Sequence, residues 1–276
     1  MSSFGLNADV EMLTYGIVFF VLAMPIAPLF ALIMMTIHKR DCRKPNLTYK
    51  LMNLINFFQL GQGVGHFVTS PALIFPALLE KWDVFIRIIG CVMNTFWIAD
   101  LPVMTLLAVS RILIFHRIIP SNTFPVLIRI PLFLALVWIA FVLVYGCFAQ
   151  NLKFTPPWWG YDFEVPHTDL FAFLELALSF PCLAVSYLAY LVVIYLIYVM
   201  KKKKSNVQSR RNEVAILLQY TFVTIYITIL IVVWHPALFS AFNFIDMENT
   251  KNQAILNLLW IVYCYVNPLM MLLFNK

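Results

Sequence analysis

Seven stretches of the chain are almost entirely apolar, and each is long enough to cross a lipid bilayer as a helix. A bilayer core about 30 Å thick requires about 20 apolar residues in a helix. No segment alternates apolar and polar residues over about ten positions, as a strand of a membrane barrel does. The pattern predicts an all-α membrane protein, a seven-transmembrane helix bundle forming a single domain over residues 1–276. The predicted spans cover residues 12–37, 51–75, 84–115, 127–150, 170–200, 214–242 and 253–274.

The composition excludes a soluble protein. Apolar residues make up 62% of the chain and charged residues 12%, with a mean hydropathy of +0.86. Soluble domains are about 45–50% apolar and about 25% charged. The net charge of +6 arises from basic residues in short loops between the spans, where they orient the chain in the membrane. We therefore expect membrane lipids, and no nucleic acid, as partners.

Basic residues are distributed unevenly between the two sides of the predicted bundle. One side carries 15 of the 19 Lys and Arg residues, while nine of the 13 Asp and Glu residues lie on the other side. Because Lys and Arg are enriched in cytoplasmic loops, this asymmetry predicts an N-terminus outside and a C-terminus in the cytoplasm. The densely basic loop at residues 201–211 is expected to contact anionic lipid or, alternatively, a cytosolic signalling partner.

Ionisable and aromatic residues recur on one face of the third span. Their spacing of four, three, four, three and four residues brings them into one narrow sector of a helix. An ionisable residue inside a membrane is costly and is a functional candidate by default. Asp100 is expected near mid-membrane. Its candidate partners in the second span are Gln59, Gln62 and His66, although such amides can also serve only to hold helices together. The face consists of Met93, Trp97, Asp100, Met104, Leu107 and Arg111.

The last three spans carry further polar and aromatic candidates. Glu175 precedes Pro181 by six residues, and its carboxylate is expected either to meet a ligand or to reach water. In the sixth span Pro236 should kink the helix, with Trp234 on the adjacent turn. The seventh span continues into Pro268. One interior face of this span holds Asn257, Trp260, Cys264, Asn267 and Met271.

The longest outer loop is rich in aromatic and turn residues over residues 156–162. Such a loop could lie in the belt of lipid headgroups, where tryptophan and tyrosine are enriched, or could fold over the mouth of the bundle as a lid. The sequence leaves both arrangements open.

The sequence contains no motif of a catalytic or cofactor-binding kind. It has neither a His-Glu-x-x-His motif nor a paired-aspartate motif, so an intramembrane enzyme is not expected. The five cysteines form no C-x-x-C pair, and no metal site or cofactor is predicted. The last span has no lysine that could form a retinal Schiff base.

Four motifs, in order along the chain, resemble those of the rhodopsin-like G-protein-coupled receptors. The third span ends in Leu-Leu-Ala-Val-Ser-Arg at residues 106–111, and Trp138 follows at the spacing of the family's fourth-helix tryptophan. Trp234-His235-Pro236 is similar to the family's Trp-x-Pro, and Asn267-Pro268 is similar to its Asn-Pro-x-x-Tyr. The chain is also similar to nematode serpentine chemoreceptors of the class T and class X-like groups. This similarity lies in the Trp-rich outer loop and in the sequence of residues 267–275.

The resemblance implies a chemosensory receptor acting in olfaction, in the plasma membrane of sensory neuron cilia. The implied partners are a small odorant or pheromone-like molecule and a heterotrimeric G protein. The implied ligand-binding residues, mostly in the outer half of the bundle, are Met93, Trp97, Asp100, Glu175, Trp234 and Trp260. The implied residues for switching and G-protein coupling are Arg111, Pro236, Asn267 and Pro268.

The chain also departs from the family pattern. Ser110 stands where the family has an acid beside the arginine, and Asn56 stands where it has the second-helix aspartate. Ile86 occupies the place of the family's outer cysteine in the third span. A disulfide between Cys91 and Cys147, deeper in the membrane, is left as an alternative.

The alternative function is a small multi-span transporter or a ligand-gated channel. Either would need ionisable residues along a continuous path, and a transporter would also need helices broken near the membrane midplane. Asp100, Glu175 and His66 alone do not trace such a path. The sequence therefore favours the receptor.

The topology can be tested at the sequon Asn46-Leu47-Thr48 in the first loop. Because the charge asymmetry predicts that this loop is cytoplasmic, Asn46 should receive no glycan. We expect the chain translated with microsomes to show no endoglycosidase-sensitive shift. A glycan on Asn46 would mean that the topology is inverted.

Overall fold

The computed structural model describes residues 5–202, 207–235, 246 and 248–274. Most of these residues lie in helices that pack as a bundle, so the predicted fold class is confirmed. The second to fifth and the seventh predicted spans each correspond to one long helix, with ends displaced by up to about two turns. One helix also covers the sixth predicted span as far as Trp234, and residues 236–242 of that span lie outside the described residues. The helices are α1 (Val10–Ala23), α2 (Ile26–Arg43), α3 (Leu47–Thr69), α4 (Pro71–Ile74), α5 (Ala77–Phe115), α6 (Val126–Ala149), α7 (Thr168–Lys202), α8 (Val207–Trp234) and α9 (Thr250–Phe274).

The first predicted span, residues 12–37, is built from two helices rather than one. Pro25 has no N–H group to donate to the carbonyl one turn before it, so the helical ladder is interrupted there. Helix α1 ends at Ala23, the Met24 N–H still bonds one turn back over 3.0 Å, and α2 begins at Ile26. Together α1 and α2 are long and apolar enough for one membrane crossing.

Six helical stretches among the described residues are long and apolar enough to cross a membrane, namely α1 with α2, α5, α6, α7, α8 and α9. Helix α3 has 23 residues, but polar residues lower its hydropathy. Gln59 and Gln62 on α3 are nevertheless fully buried, whereas large apolar side chains such as Phe148 and Leu191 are exposed. The polar side chains of the helices are thus turned into a largely apolar interior and large apolar side chains cover the outside, as lipid requires of an integral membrane protein.

Three glycines let neighbouring helices approach the backbone of α3 closely. A Cβ atom built on Gly61 would lie 2.1 Å from an aromatic ring of α5, and one on Gly65 would lie 2.2 Å from Met93 of α5. A Cβ atom on Gly63 would lie 2.3 Å from Ile26 of α2. Small residues allow such close packing between membrane helices. Helix α3 is therefore held tightly between α2 and α5.

The outer loop folds into an antiparallel hairpin of β1 (Leu152–Thr155) and β2 (Trp158–Tyr161). No strand was predicted here, because four residues per strand carry too little periodicity to recognise. Trp159 is fully buried against Gly90 of α5, where a Cβ atom would lie 2.2 Å from the indole. Asn257 of α9 donates a 3.0 Å hydrogen bond to a carbonyl in the hairpin turn. The sequence left open whether this loop lies among the lipid headgroups or folds over the mouth of the bundle. It folds over the bundle as a lid.

A charged cluster anchors this hairpin to α5. The Arg87 guanidinium donates to Asp162 over 2.7 Å and to the Gln150 carbonyl over 3.3 Å. Its Nε donates to Asp83 over 2.9 Å. The Arg87 and Asp162 side chains are 15% and 9% exposed, whereas that of Asp83 is 55% exposed. The hydrogen bond from Arg87 lowers the pKa of Asp162 below its usual value.

We expect Asp162→Asn to destabilise the protein by about 1.5–3 kcal/mol, since it weakens a largely buried, charge-assisted hydrogen bond. The lowered pKa makes this contribution pH-dependent. It is fully present above the ordinary carboxyl pKa of about 3.9 and is lost as pH falls through the lower value of the folded protein. The difference in Tm between wild type and Asp162→Asn, measured in detergent from neutral to acid pH, should therefore close only in acid.

Asp83→Asn is the matched control, because Asp83 contacts the same guanidinium from an exposed position. Its loss should cost only about 0.3–0.5 kcal/mol. Equal losses in the two variants, or a difference that persists in acid, would contradict the assignment of Asp162 as the anchor.

Candidate functional site

The interior face predicted for the third span lies on α5 and is buried along its whole length. Helix α5 packs against α3, α6 and α7, which makes it the central helix of the bundle. Its two interior ionisable groups therefore lie among protein side chains rather than in lipid. All six residues of the predicted face are at most 8% exposed: Met93, Trp97, Asp100, Met104, Leu107 and Arg111.

Asp100 lies at the centre of a hydrogen-bonded network that joins α3, α5 and α9. Its Oδ2 accepts from Gln62 Nε2 over 3.1 Å and from the Tyr263 hydroxyl over 2.9 Å. Gln59 Nε2 donates to the Tyr263 hydroxyl over 3.0 Å. Trp260 Nε1 donates to Gln62 Oε1 over 2.8 Å. We call these five residues the Asp100 network. Of the candidate partners predicted for Asp100 in the second span, Gln62 is confirmed by a direct hydrogen bond.

A cavity of about 280 Å³, its open part included, lies beside this network. Three indole rings line it, and we call it the aromatic pocket. The Trp260 ring lies 5.1 Å from that of Trp234 and 6.2 Å from that of Trp97, both edge to face. Four of the six residues predicted to bind ligand meet here. The lining consists of Asn94, Trp97, Glu175, Leu230, Trp234 and Trp260.

Two residues predicted to bind ligand, Met93 and Asp100, are not among these lining residues. Met93 packs against Gly65 of α3. Asp100 is connected to the pocket only indirectly, through Gln62 and the indole of Trp260. Met93 therefore packs between α5 and α3, and Asp100 holds a wall of the pocket rather than lining it.

Glu175 of α7 contributes its carboxyl group to the pocket. Oε1 accepts from Trp97 Nε1 over 3.0 Å, and Oε2 accepts from the Tyr161 hydroxyl of the hairpin. Asn94 Nδ2 donates to the same hydroxyl over 3.0 Å. Of the two environments left open for Glu175, the structure has the buried one, with the residue 9% exposed.

The hairpin contacts the aromatic pocket at a second point. The Trp158 ring lies 5.7 Å from the Trp234 ring. Trp158 and Tyr161 are three residues apart on β2, so their side chains leave opposite faces of the hairpin. A ligand in the pocket would therefore be in reach of both α8 and the lid.

A second polar cluster joins α3, α8 and α9. Asn267 Nδ2 donates to Asn56 Oδ1 over 2.8 Å, and Gln219 Nε2 donates to Asn267 Oδ1 over 2.6 Å. Asn56 Nδ2 also lies 3.9 Å from Met271 Sδ. We call these four residues the Asn267 network. Pro268 follows directly, inside α9.

Arg111 lines a second cavity, of about 300 Å³ with its open part, which we call the arginine cavity. The neighbouring Ser110 is buried and donates to the Leu107 carbonyl over 2.7 Å. Pro236, predicted to be a hinge, lies outside the described residues; Trp234 ends α8. The arginine cavity is lined by Leu107, Ala108, Arg111, Tyr190, Val193, Ile216, Leu217 and Tyr220.

Sequence reasoning missed several residues of these clusters. Asn94 stands three residues before Trp97, a helical spacing that could have placed it in the pocket. Gln219 is an amide within the apolar sixth span, a signal of the same kind as the amides of the second span. Tyr161 carries no such signal, because its contact with Glu175 depends on the hairpin.

The bridge between Cys91 and Cys147 that the sequence left open is not formed. All five cysteines are free thiols. The Cys91 Sγ instead lies 3.6 Å from Asn151 Oδ1 at the base of the hairpin. The lid is thus anchored without a disulfide to the bundle.

We expect Asp100→Leu to destabilise the protein by about 2–5 kcal/mol, because Gln62 and Tyr263 would each retain a buried donor without an acceptor. Asp100→Asn keeps one acceptor oxygen at the same place and should cost about 1 kcal/mol or less. Thermal unfolding of both variants in detergent tests this. Equal Tm values for the Leu and Asn variants would show that the network contributes little to stability.

No family model matches the chain, and no curated protein matches it. Among solved structures, the fold is similar to the crystal structure of squid rhodopsin, with a TM-score of 0.61 and 13% sequence identity. The match covers 99% of this chain and 84% of the rhodopsin chain. The described helices therefore share the seven-helix fold of rhodopsin.

Proposed function

We propose that the chain is a G-protein-coupled chemosensory receptor of the plasma membrane. A small extracellular molecule binds in the aromatic pocket, and a heterotrimeric G protein binds at the end of the bundle near Arg111. The rhodopsin fold supports a receptor that signals through G proteins. The motifs at Arg111, Trp234 and Asn267 support the same function.

The observation that carries the proposal is the polar connection between the two cavities. Trp260, a wall of the aromatic pocket, belongs to the Asp100 network. Gln59, at the other side of that network, is three residues from Asn56 of the Asn267 network, on the same helix. Gln219 of the second network adjoins Tyr220, which lines the arginine cavity. A ligand that moves Trp260 can therefore change contacts between α3, α8 and α9 far from the pocket.

Activation in this proposal is a shift between two packing arrangements of the bundle. A ligand increases the population of the open arrangement only if it binds that arrangement more tightly. The amides Gln219 and Asn267 each carry donor and acceptor atoms, so they can exchange partners without leaving a polar group unpaired. The hinge at Pro236 remains a prediction.

Orientation and biological setting complete the proposal. The excess of Lys and Arg on one side supports an N-terminus outside, with the hairpin on the extracellular face. The sequence style supports a nematode chemoreceptor in sensory cilia, with an odorant or pheromone-like ligand.

The proposal can be tested by expressing the chain with a G-protein reporter and screening volatile and water-soluble compounds. At least one compound should signal, and Trp260→Leu should abolish the response at unchanged surface expression. Trp82→Leu, at an exposed tryptophan of α5, is the matched control. Ligand-dependent current or uptake without any G-protein response would instead favour the channel or transporter.

Arg111 is expected to couple the bundle to the G protein. Arg111→Ala should abolish ligand-driven signalling while membrane insertion is preserved. Arg111→Lys should restore only part of it, because an ammonium group lacks the planar fork that a guanidinium presents to carbonyl and carboxylate acceptors. The readout is reporter activity normalised to surface expression.

Arg129→Ala removes an exposed cation of α6 and serves as the control, with signalling expected to stay normal. Wild-type signalling by Arg111→Lys would mean that coupling does not depend on the guanidinium group of Arg111.

A further inference from the structure

Glu175 brings a carboxyl group into a pocket whose walls are otherwise mainly aromatic. Trp97, Trp234 and Trp260 line the same cavity, and their rings are arranged edge to face around it. Glu175 is 9% exposed, and Trp97 and Trp260 are 8% and 5% exposed. The pocket thus combines one buried acidic group with three electron-rich ring systems.

The hydrogen-bond partners of Glu175 are neutral. They are the indole N–H of Trp97 and the hydroxyl of Tyr161. Neutral donors orient a carboxylate but do not balance its charge. His235 interacts electrostatically with Glu175, but its Nε2 is bonded to the Ala172 carbonyl and not to the carboxylate. A buried charge with no opposite charge hydrogen-bonded to it is costly. The site is therefore complementary to a positive ligand.

Indole rings favour the same class of ligand. The face of a tryptophan ring attracts a cation electrostatically, and the attraction is largest where water is excluded. Cages of aromatic rings bind quaternary ammonium groups in this way. An anionic ligand would be repelled by Glu175, and a neutral apolar one would bring no opposite charge to its carboxyl group.

We propose that the aromatic pocket binds a small organic ammonium ion, with Glu175 as its counter-ion and the three tryptophans as its cage. This rests on the proposed function, since it names the ligand class of the same pocket. Three indole rings and Leu230 line one small cavity, so the ligand is compact.

Two other polar groups face this part of the bundle. His235, the residue after α8, is buried, and its Nε2 donates to the Ala172 carbonyl, one turn before Glu175, over 2.9 Å. Asn94 contacts Tyr161 and is neutral. His235→Gln should therefore keep the preference for cations, because the amide can retain the bond to the carbonyl.

The test measures binding to the purified full chain in lipid nanodiscs by intrinsic tryptophan fluorescence. The cationic probes are methylammonium, tetramethylammonium and choline. The neutral probe is 3,3-dimethylbutan-1-ol, which has the shape of choline without its charge. At least one cation should bind, and choline should bind about tenfold or more tightly than its neutral counterpart, an effect of the size expected for a desolvated cation–aromatic contact.

Glu175→Gln keeps the size and the acceptor oxygen of the side chain but removes its charge, and it should lower this ratio several-fold, to what the cation–aromatic contacts alone supply. Trp260→Leu should weaken choline binding, while the exposed residues Glu80 and Trp82 provide the controls Glu80→Gln and Trp82→Leu. Equal binding of choline and the neutral alcohol to wild type would overturn the proposal. So would a cation preference that Glu175→Gln leaves unchanged, or failure of all three cations to bind.

This assay requires no G protein, so the two proposals can fail separately. Cation binding that depends on Glu175, without any reporter response, would support the ammonium site and contradict the signalling function. A neutral odorant that signals through Arg111, with no cation bound, would support the receptor and overturn the ammonium site.

Discussion

The arrangement of the bundle depends on how one carboxyl group is accommodated inside a membrane. Asp100 lies on the central helix α5, and its two hydrogen-bond donors, Gln62 and Tyr263, come from α3 and α9. A buried donor that loses its acceptor costs far more than a typical hydrogen bond contributes. The three helices therefore cannot slide past one another independently, and the relative heights of α3, α5 and α9 follow from this one group.

The parts of this arrangement that repeat with the period of a helix could be predicted from the sequence. In lipid an interior polar residue is rare enough to be informative, so the face of α5 from Met93 to Arg111 and the amides of α3 were both assigned to the interior. The same reasoning put Trp260 and Asn267 on one face of the seventh span, where each contacts α3. Periodicity predicts which side of a helix faces inward.

Periodicity does not predict which distant residues meet. The contact of Tyr161 with Glu175 requires a hairpin whose strands are too short to recognise, and Gln219 meets Asn267 only because α8 and α9 pack together. The sequence left open whether the Glu175 carboxylate meets a ligand or reaches water, and its buried position depends on the hairpin. The break at Pro25 was readable in principle, but a proline near a span centre can either kink or interrupt a helix.

The glycines of α3 have a consequence for rotation. Gly61 and Gly65 receive Phe96 and Met93 from α5, whereas Gly63 receives Ile26 from α2. Side chains of α5 and α2 thus pack into α3 at glycines on two of its sides. Rotation of α3 about its own axis would bring these side chains into steric conflict with its backbone. The angular setting of α3 is consequently fixed by shape alone. The shape of α3 and the hydrogen bonds of the Asp100 network thus require the same rotation of the helix, the one in which Gln62 faces Asp100.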